Sequence, residues 1–551
     1  HRRPLARRTR GAAACLALAM TLAACSADGD TDADGTAGSS QAEDKQEQDP
    51  ENQSAQLNDI TEPVAVAGQD DASPSSMSVQ ASQALFASAP AVVVAQSGDA
   101  EGIEQASSDA VSLGVPLLLV AAAPSDDAAA TAAPDDAATT AAPDDAQQTT
   151  APPPDSTDPS MQFEEIARLG ADTVLAVGPN VPSALADLSD AEIVTTTDDI
   201  PQVTPPAGLD GLAVLVPGED SDGFLAAGAS AQAAGAQVVP VAGSDVRGDP
   251  EAITALADAK PDQVLALGAD FGDVETLTNR IDVAKTGVQL PGGGQSLFPG
   301  RRLVALYGTP GTPGLGVLGE QDVEASITRA QEMAADFEPY SDVPMVPAFE
   351  IIATIAQGSA GADGDYSGEI GVEELRPWVE KAGEEGVYVV LDLQPGRANF
   401  LDQAKIYEDL LRMPHVGLAL DPEWRLTPTQ KPLQQIGQVE AAEVNSVIEW
   451  LADLTAEEDL PQKLLVLHQF RLSMLQDEDE IDLSRDELQV LIHMDGQGSP
   501  DLKDGTWQSV VGAAPEGVPF GWKNFFDEDE PMLTAEQTMQ KEPTPFMISY
   551  Q

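Results

Sequence analysis

Cysteine is almost absent from this chain, with two residues, Cys15 and Cys25, among 551. Cys15 lies inside the leading segment HRRPLARRTRGAAACLALAMTLAAC, whose basic start and short apolar run have the order of a secretory signal, so processing leaves Cys25 alone. One cysteine excludes an intrachain disulfide and a cysteine-ligated metal cluster. Basic residues are scarce as well: 27 Lys and Arg stand against 92 Asp and Glu, for a formal net charge of −65. That balance lacks the basic face on which nucleic acid is held, so no nucleic-acid partner is expected. Long apolar runs are missing too, because the leader's run of about a dozen residues is too short to cross a bilayer. Aromatic residues make up 4% of the chain, and all five Trp and all six Tyr follow residue 300.

The leader's last residues, Leu22-Ala23-Ala24-Cys25, resemble a bacterial lipobox. The resemblance implies a lipoprotein signal over 1–25, palmitate-type lipidation of Cys25, and a mature protein anchored at the extracellular face of the bacterial cell membrane. Residues 26–77 are Asp, Glu, Gln, Ser, Thr, Gly and Ala with little to bury, and read as a disordered acidic tether.

Between 78 and 290 short apolar runs alternate with Ala-rich helical segments. Examples are AVVVAQSGD (91–99), VPLLLVAA (116–123), ADTVLAVG (171–178), GLAVLVPGEDSD (211–222), AQVVPVAG (236–243) and PDQVLALGAD (261–270). Continuous apolar strands separated by helices predict a parallel sheet covered on both faces. The phrase Asp-X-Val-Leu-Ala recurs at Asp172 and Asp262, a sign of internal repetition. A low-complexity insert at 124–159, with APDD repeated, interrupts the pattern. The stretches QSGDAEGIEQASSDAVSLGVPLLLV (96–120) and IARLGADTVLAVG (166–178) resemble the cell-wall-binding repeat type 2 family of actinobacterial and clostridial surface modules. The likeness covers roughly 78–288 and implies attachment to an envelope polymer.

Past the Gly/Pro-rich LPGGGQSLFPG, a second region runs from 301 to 551. Eight strand candidates follow one another: RLVALYG (302–308), VPMVPAFEII (343–352), VYVVLDLQ (387–394), HVGLALDPE (415–423), KLLVLHQF (463–470), LQVLIHMD (488–495), VPFGWKN (518–524) and PFMISYQ (545–551). Helix-like segments lie between them. Eight β/α units in about 250 residues predict a (β/α)₈ barrel, with an open doubly wound sheet as the alternative. The fold class is therefore α/β, a parallel-sheet repeat region followed by a TIM-like barrel.

The last residues of these strands are polar. Period-two parity puts Glu350, Asp392 with Gln394, Asp421 with Glu423, His468, and His493 with Asp495 on one face, with Tyr307 and Tyr550 ending the first and eighth strands. Ionisable groups converging at the C-terminal end of a barrel mark a polar pocket. Two carboxyls in unlike environments are what glycosidic bond hydrolysis needs. Glu423 is the expected acid, raised by its neighbour Asp421; Asp392 or Asp495, ahead of Glu350, is the expected opposing carboxylate. Gln394, His468, His493, Tyr307, Tyr550, Trp424 and the Trp522 region are candidates for binding substrate. Asp421-X-Glu423 ending strand four is similar to the catalytic strand of chitinase-like and lysozyme-like glycoside hydrolase barrels, which implies a hydrolase acting on polysaccharide without a cofactor. Those families carry further acids upstream on that strand, where this chain has Gly417 and Ala419. Two alternatives stand beside this: a non-catalytic saccharide-binding surface protein, and a metal-dependent hydrolase built on His468, His493, Asp495 and Glu350.

Overall fold

The computed structural model describes residues 53–68, 73–121, 158–218 and 221–551. The leader, Cys25, residues 26–52 of the tether and nearly all of the 124–159 insert lie outside the described residues.

Two four-stranded parallel sheets make up the first region. One runs in the order Leu117–Val120, Ala91–Gln96, Thr173–Ala176, Glu192–Val194; the other runs Gln237–Val241, Leu212–Pro217, Gln263–Leu267, Val64–Ala67. The two Asp-X-Val-Leu-Ala phrases open the third strand of each order, so the repeat in sequence is a repeat in structure. Helices Pro74–Leu85 and Asp222–Ala233 contribute Val79, Leu85, Ala227 and Ala231 to a core that also takes Val92 and Val94 from one sheet and Val214 and Val216 from the other. This corrects the expected tether: Ala55 is buried, Val64–Ala67 pairs with Val264–Leu267, and Ser73 caps the first helix, so the fold is already under way well before residue 78. Four residues, VAVA, are too short a run to announce a strand, yet they complete the edge of the second sheet.

The second region is a closed barrel. Its strands are β1 (Arg302–Gly308), β2 (Met345–Ala356), β3 (Tyr388–Leu393), β4 (Val416–Leu420), β5 (Lys463–His468), β6 (Leu488–Met494), β7 (Phe520–Asn524) and β8 (Met547–Tyr550). Each pairs in parallel with the next, and β1 pairs with both β2 and β8, which excludes the open sheet. Outward residues such as Leu306, Phe349, Leu391, Leu418 and Leu467 meet the surrounding helices. Inward residues low in the barrel, among them Leu303, Ala305, Val346, Ala348, Val390, Ala419, Leu464 and Leu491, fill it with apolar side chains. The Gly/Pro-rich segment between the regions is an ordered plug, because its Leu290 and Leu297 are buried in that same layer.

Beneath the barrel the two regions are tied by charge. Arg247 and Arg280 of the first region both reach Asp486, at 2.9 and 2.8 Å, just ahead of β6. The described residues of the first region thus lie at the N-terminal ends of the barrel strands, away from the opposite mouth.

The glycine at position 417 of β4 has a packing cause. A side chain at Gly417 would place its Cβ 2.6 Å from the Leu464 carbonyl oxygen and 2.9 Å from the Tyr388 hydroxyl. Tyr388 is fully buried, and its hydroxyl accepts from the Leu464 N–H at 3.1 Å, so it occupies the space an acid would need. Gly417→Asp is expected to destabilise the fold by about 3 kcal/mol through overpacking and an unpaired buried carboxyl. Urea unfolding measures this, and an unchanged midpoint would contradict the packing account.

Candidate functional site

The inward parity that is apolar low in the barrel becomes ionisable at its C-terminal end. One pleat above the apolar layer stand Tyr307 of β1, Glu350 of β2, Asp392 of β3, His468 of β5, His493 of β6, Lys523 of β7 and Ser549 of β8, all buried, with Asp421 immediately after β4 and Asp495 after β6. Strand pairing fixes their heights: Tyr307 lies opposite Glu350, His468 opposite His493, and Lys523 opposite Ser549.

His468 is the centre of the group. Its Nδ1 lies 3.0 Å from Asp495 Oδ2 and its Nε2 lies 2.8 Å from Glu350 Oε1, and the imidazole is fully buried. Burial alone would lower its pKa, but the two carboxylates raise it well above the ordinary value. Burial likewise opposes ionisation of Glu350, yet His468, with help from His493 and Lys523, holds this carboxyl down at about 2. Asp495 is lowered as well: burial opposes its ionisation, and the hydrogen bond and charge of His468, with Lys523 and His493, together outweigh it. His493 stands edge-on to His468, with ring centroids 5.3 Å apart, and its Nε2 is 2.7 Å from Ser549 Oγ. Burial drives its pKa down to about 3, so it is neutral. A Cβ on Gly521 would fall 2.0 Å from His493 Nδ1, which is why this strand position is glycine.

A second set of carboxyls is pushed the other way. Burial raises Asp392 to about 6, against the pull of His468 and with a push from Glu350; the Tyr307 hydroxyl donates to its Oδ2 at 2.9 Å. Gln394 donates to the Tyr307 oxygen at 3.3 Å. Asp421 is raised well above its ordinary value by burial and by Asp392. Glu423 is raised to about 7, first by burial and then by the charge of Asp495. The barrel mouth therefore holds carboxyls with opposed protonation, Glu350 and Asp495 ionised, Asp421 and Glu423 biased to the neutral form. Buried oxygens without a hydrogen-bond partner among the described residues include Glu350 Oε2, Asp392 Oδ1 and Asp495 Oδ1.

Several expected positions are corrected. Strand β4 stops at Leu420, and Asp421 caps a short 3₁₀ turn, Pro422–Trp424, by accepting the Glu423 N–H at 3.2 Å. Asp421 and Glu423 are thus related by a turn and not by strand parity. The neighbour that raises Glu423 is Asp495 from another strand. Tyr550 points outward, its ring 6.4 Å from Phe337 and 5.5 Å from Phe526, because Ser549 takes the inward place. Trp522 also faces outward, fully buried 5.5 Å from the Trp507 ring. Trp424 is half-buried in the turn at the mouth. His468 and His493 are too enclosed by protein partners to serve as first contacts for substrate.

The four groups proposed for a metal do not converge. The two nitrogens of His468 point to different carboxylates and His493 bonds Ser549, so no common point receives their lone pairs. Among the described residues, the His, Cys, Asp and Glu side chains whose ligand atoms gather within 4.8 Å are instead Asp363, Asp365 and Glu369, on the hairpin above β2.

Lys523 is the residue that strand patterns hide, since a lysine inside a short Gly-containing run weakens the strand signal. Its ammonium stands 3.3 Å from the Tyr307 ring centroid, a cation–π contact, and its charge lowers Glu350, Asp392 and Asp495. The signal that finds it is the parity from Gly521 to Lys523.

No protein-family model matches the chain, and no curated protein matches it. What the fold supplies is a TIM-like barrel with an acid/base cluster at the end where barrel enzymes carry out chemistry.

The Glu423 shift has a stability consequence of definite sign. Its folded-state pKa, about 7, exceeds the ordinary 4.5, so ionisation is disfavoured in the fold and stability is lost as pH rises from about 4.5 to 7. Glu423→Gln is expected to match the wild type at pH 4.5 and to exceed it by about 1–3 kcal/mol at pH 8, measured by urea unfolding. Equal stability at both pH values would contradict the environment assigned to this carboxyl.

Proposed function

We propose that the protein is a cell-surface lipoprotein whose barrel hydrolyses glycosidic bonds in envelope or extracellular polysaccharide by carboxylate acid/base chemistry. The observation that carries this reading is the opposed pair at the mouth, Glu423 held neutral toward pH 7 beside Asp495 held ionised. Glu423 donates its proton to the leaving oxygen as the C–O bond breaks. Asp495 accepts a proton from the water whose oxygen bonds the anomeric carbon, and its charge steadies the positive charge developing on the sugar. Asp392, held by the Tyr307 hydroxyl, lines the floor beneath these groups, and Trp424 offers a flat surface at the rim. Lipidation at Cys25 anchors the chain, and the repeat-like region engages wall polymer.

The complete burial of Glu350, Asp392 and His468 favours a second reading, a barrel that binds saccharide without cleaving it. Release of reducing sugar from actinobacterial wall preparations and simple glycans separates the two. Wild type is expected to release sugar, with kcat/KM falling as pH rises through about 7. Glu423→Gln is expected to lose about 10²–10⁴-fold in rate and to lose that alkaline limb, with Asp495→Asn and Asp392→Asn also impaired. Wild-type release no greater than that of the variants overturns the hydrolase reading. Labelled palmitate incorporated by the wild type and not by Cys25→Ala tests the anchor.

A further inference from the structure

A histidine with an acceptor on each side has few protonation states open to it. Neutral imidazole offers one N–H and one lone pair, so one of its two carboxylate neighbours would face that lone pair, acceptor against acceptor. The imidazolium donates to both. His468 has this two-sided geometry, at 3.0 Å to Asp495 Oδ2 and 2.8 Å to Glu350 Oε1, with no exposure to solvent. The two partners come from opposite parts of the barrel wall, β2 and the end of β6, so the ring spans the interior. Each carboxylate is left with one buried oxygen that makes no hydrogen bond among the described residues, Glu350 Oε2 and Asp495 Oδ1.

We propose that His468 is a positioning residue: an imidazolium clamped between Glu350 and Asp495 that fixes the Asp495 carboxylate in one orientation at the foot of the barrel mouth. This deepens the hydrolase reading and rests on it for the reaction served, while the clamp itself is a property of the protein alone. The other groups that face the ring agree with a single cation here. Tyr307 of β1 presents its ring at 6.3 Å, His493 of β6 is edge-on at 5.3 Å and neutral, and the charge of the His468 ring acts on the carboxyls of Asp392, Asp421 and Glu423 around the mouth. Lys523 of β7, the remaining cation of the cluster, lies over Tyr307 and lowers the same two carboxylates. His468 lies beneath the two residues assigned to chemistry, so it acts through Asp495.

The chain has four histidines, which makes the test direct. In the full-length protein labelled with ¹⁵N at histidine, NMR is expected to show one ring carrying protons on both nitrogens throughout pH 5–8. That signal disappears in His468→Asn, and its titration midpoint falls by at least one unit in Glu350→Gln and in Asp495→Asn. A wild-type ring that carries a single proton at pH 7, or a midpoint unmoved in both carboxylate variants, overturns the clamp. The wild-type spectrum decides by itself should a variant fail to fold. On a cleaved glycan, His468→Asn is expected to lower kcat by tenfold or more with KM within twofold, and to move the acid limb of the pH profile upward. Equal losses in KM alone would reassign the residue to substrate binding and overturn the positioning role. Absence of any hydrolysis by the wild type would count against the hydrolase reading and leave the NMR result to judge the clamp.

Discussion

An imidazole held between two carboxylates in the interior of a barrel constrains everything around it. Charges buried away from water are tolerated only when paired with good geometry, and removing one member strands the others. Glu350, His468 and Asp495 meet that condition across β2, β5 and β6, which fixes the register of those strands and the height of the polar layer. His493 stays neutral against the cation, Gly521 stays small to admit His493, and Ser549 faces inward to bond it. Tyr550 is turned outward by the same parity. The ionised pair also sets the outer carboxyls, because the charge of Asp495 helps to keep Glu423 neutral.

Below that layer the barrel is held by ordinary apolar packing, closed from beneath by Leu290 and Leu297 and joined to the first region through Arg247, Arg280 and Asp486. The division is functional in its consequences. One end of the barrel is committed to stability and to the neighbouring region, and the other is left to carry groups whose charges are costly to bury. Tyr388 marks the frontier, filling the space beside Gly417 below Asp421.

Much of this was legible in the sequence, since a parallel barrel writes its interior as a period-two pattern. Eight apolar runs ending in polar residues gave the strand count, and parity placed Glu350, Asp392, His468, His493 and Asp495 inward. Parity failed where the backbone left the strand: after Leu420 the chain turns, so Glu423 owes its place to the cap at Asp421. Tyr550 was expected at the pocket only because it ends the eighth run, whereas strand parity gives the inward place to Ser549. Lys523 went unseen because its meaning depends on Tyr307, more than two hundred residues away. The identity of the charge raising Glu423 was equally long-range. Val64–Ala67 was lost in the acidic background because a four-residue edge strand draws its stability from the sheet it joins.

The central claim is that Glu350 and His468 form one buried ionic unit. A double-mutant cycle in urea unfolding at pH 7, with Glu350→Gln, His468→Asn and the double variant, tests it most directly. The account predicts that each single variant loses about 3–5 kcal/mol and that the double variant loses less than their sum by about 1–3 kcal/mol. Strictly additive losses would contradict it.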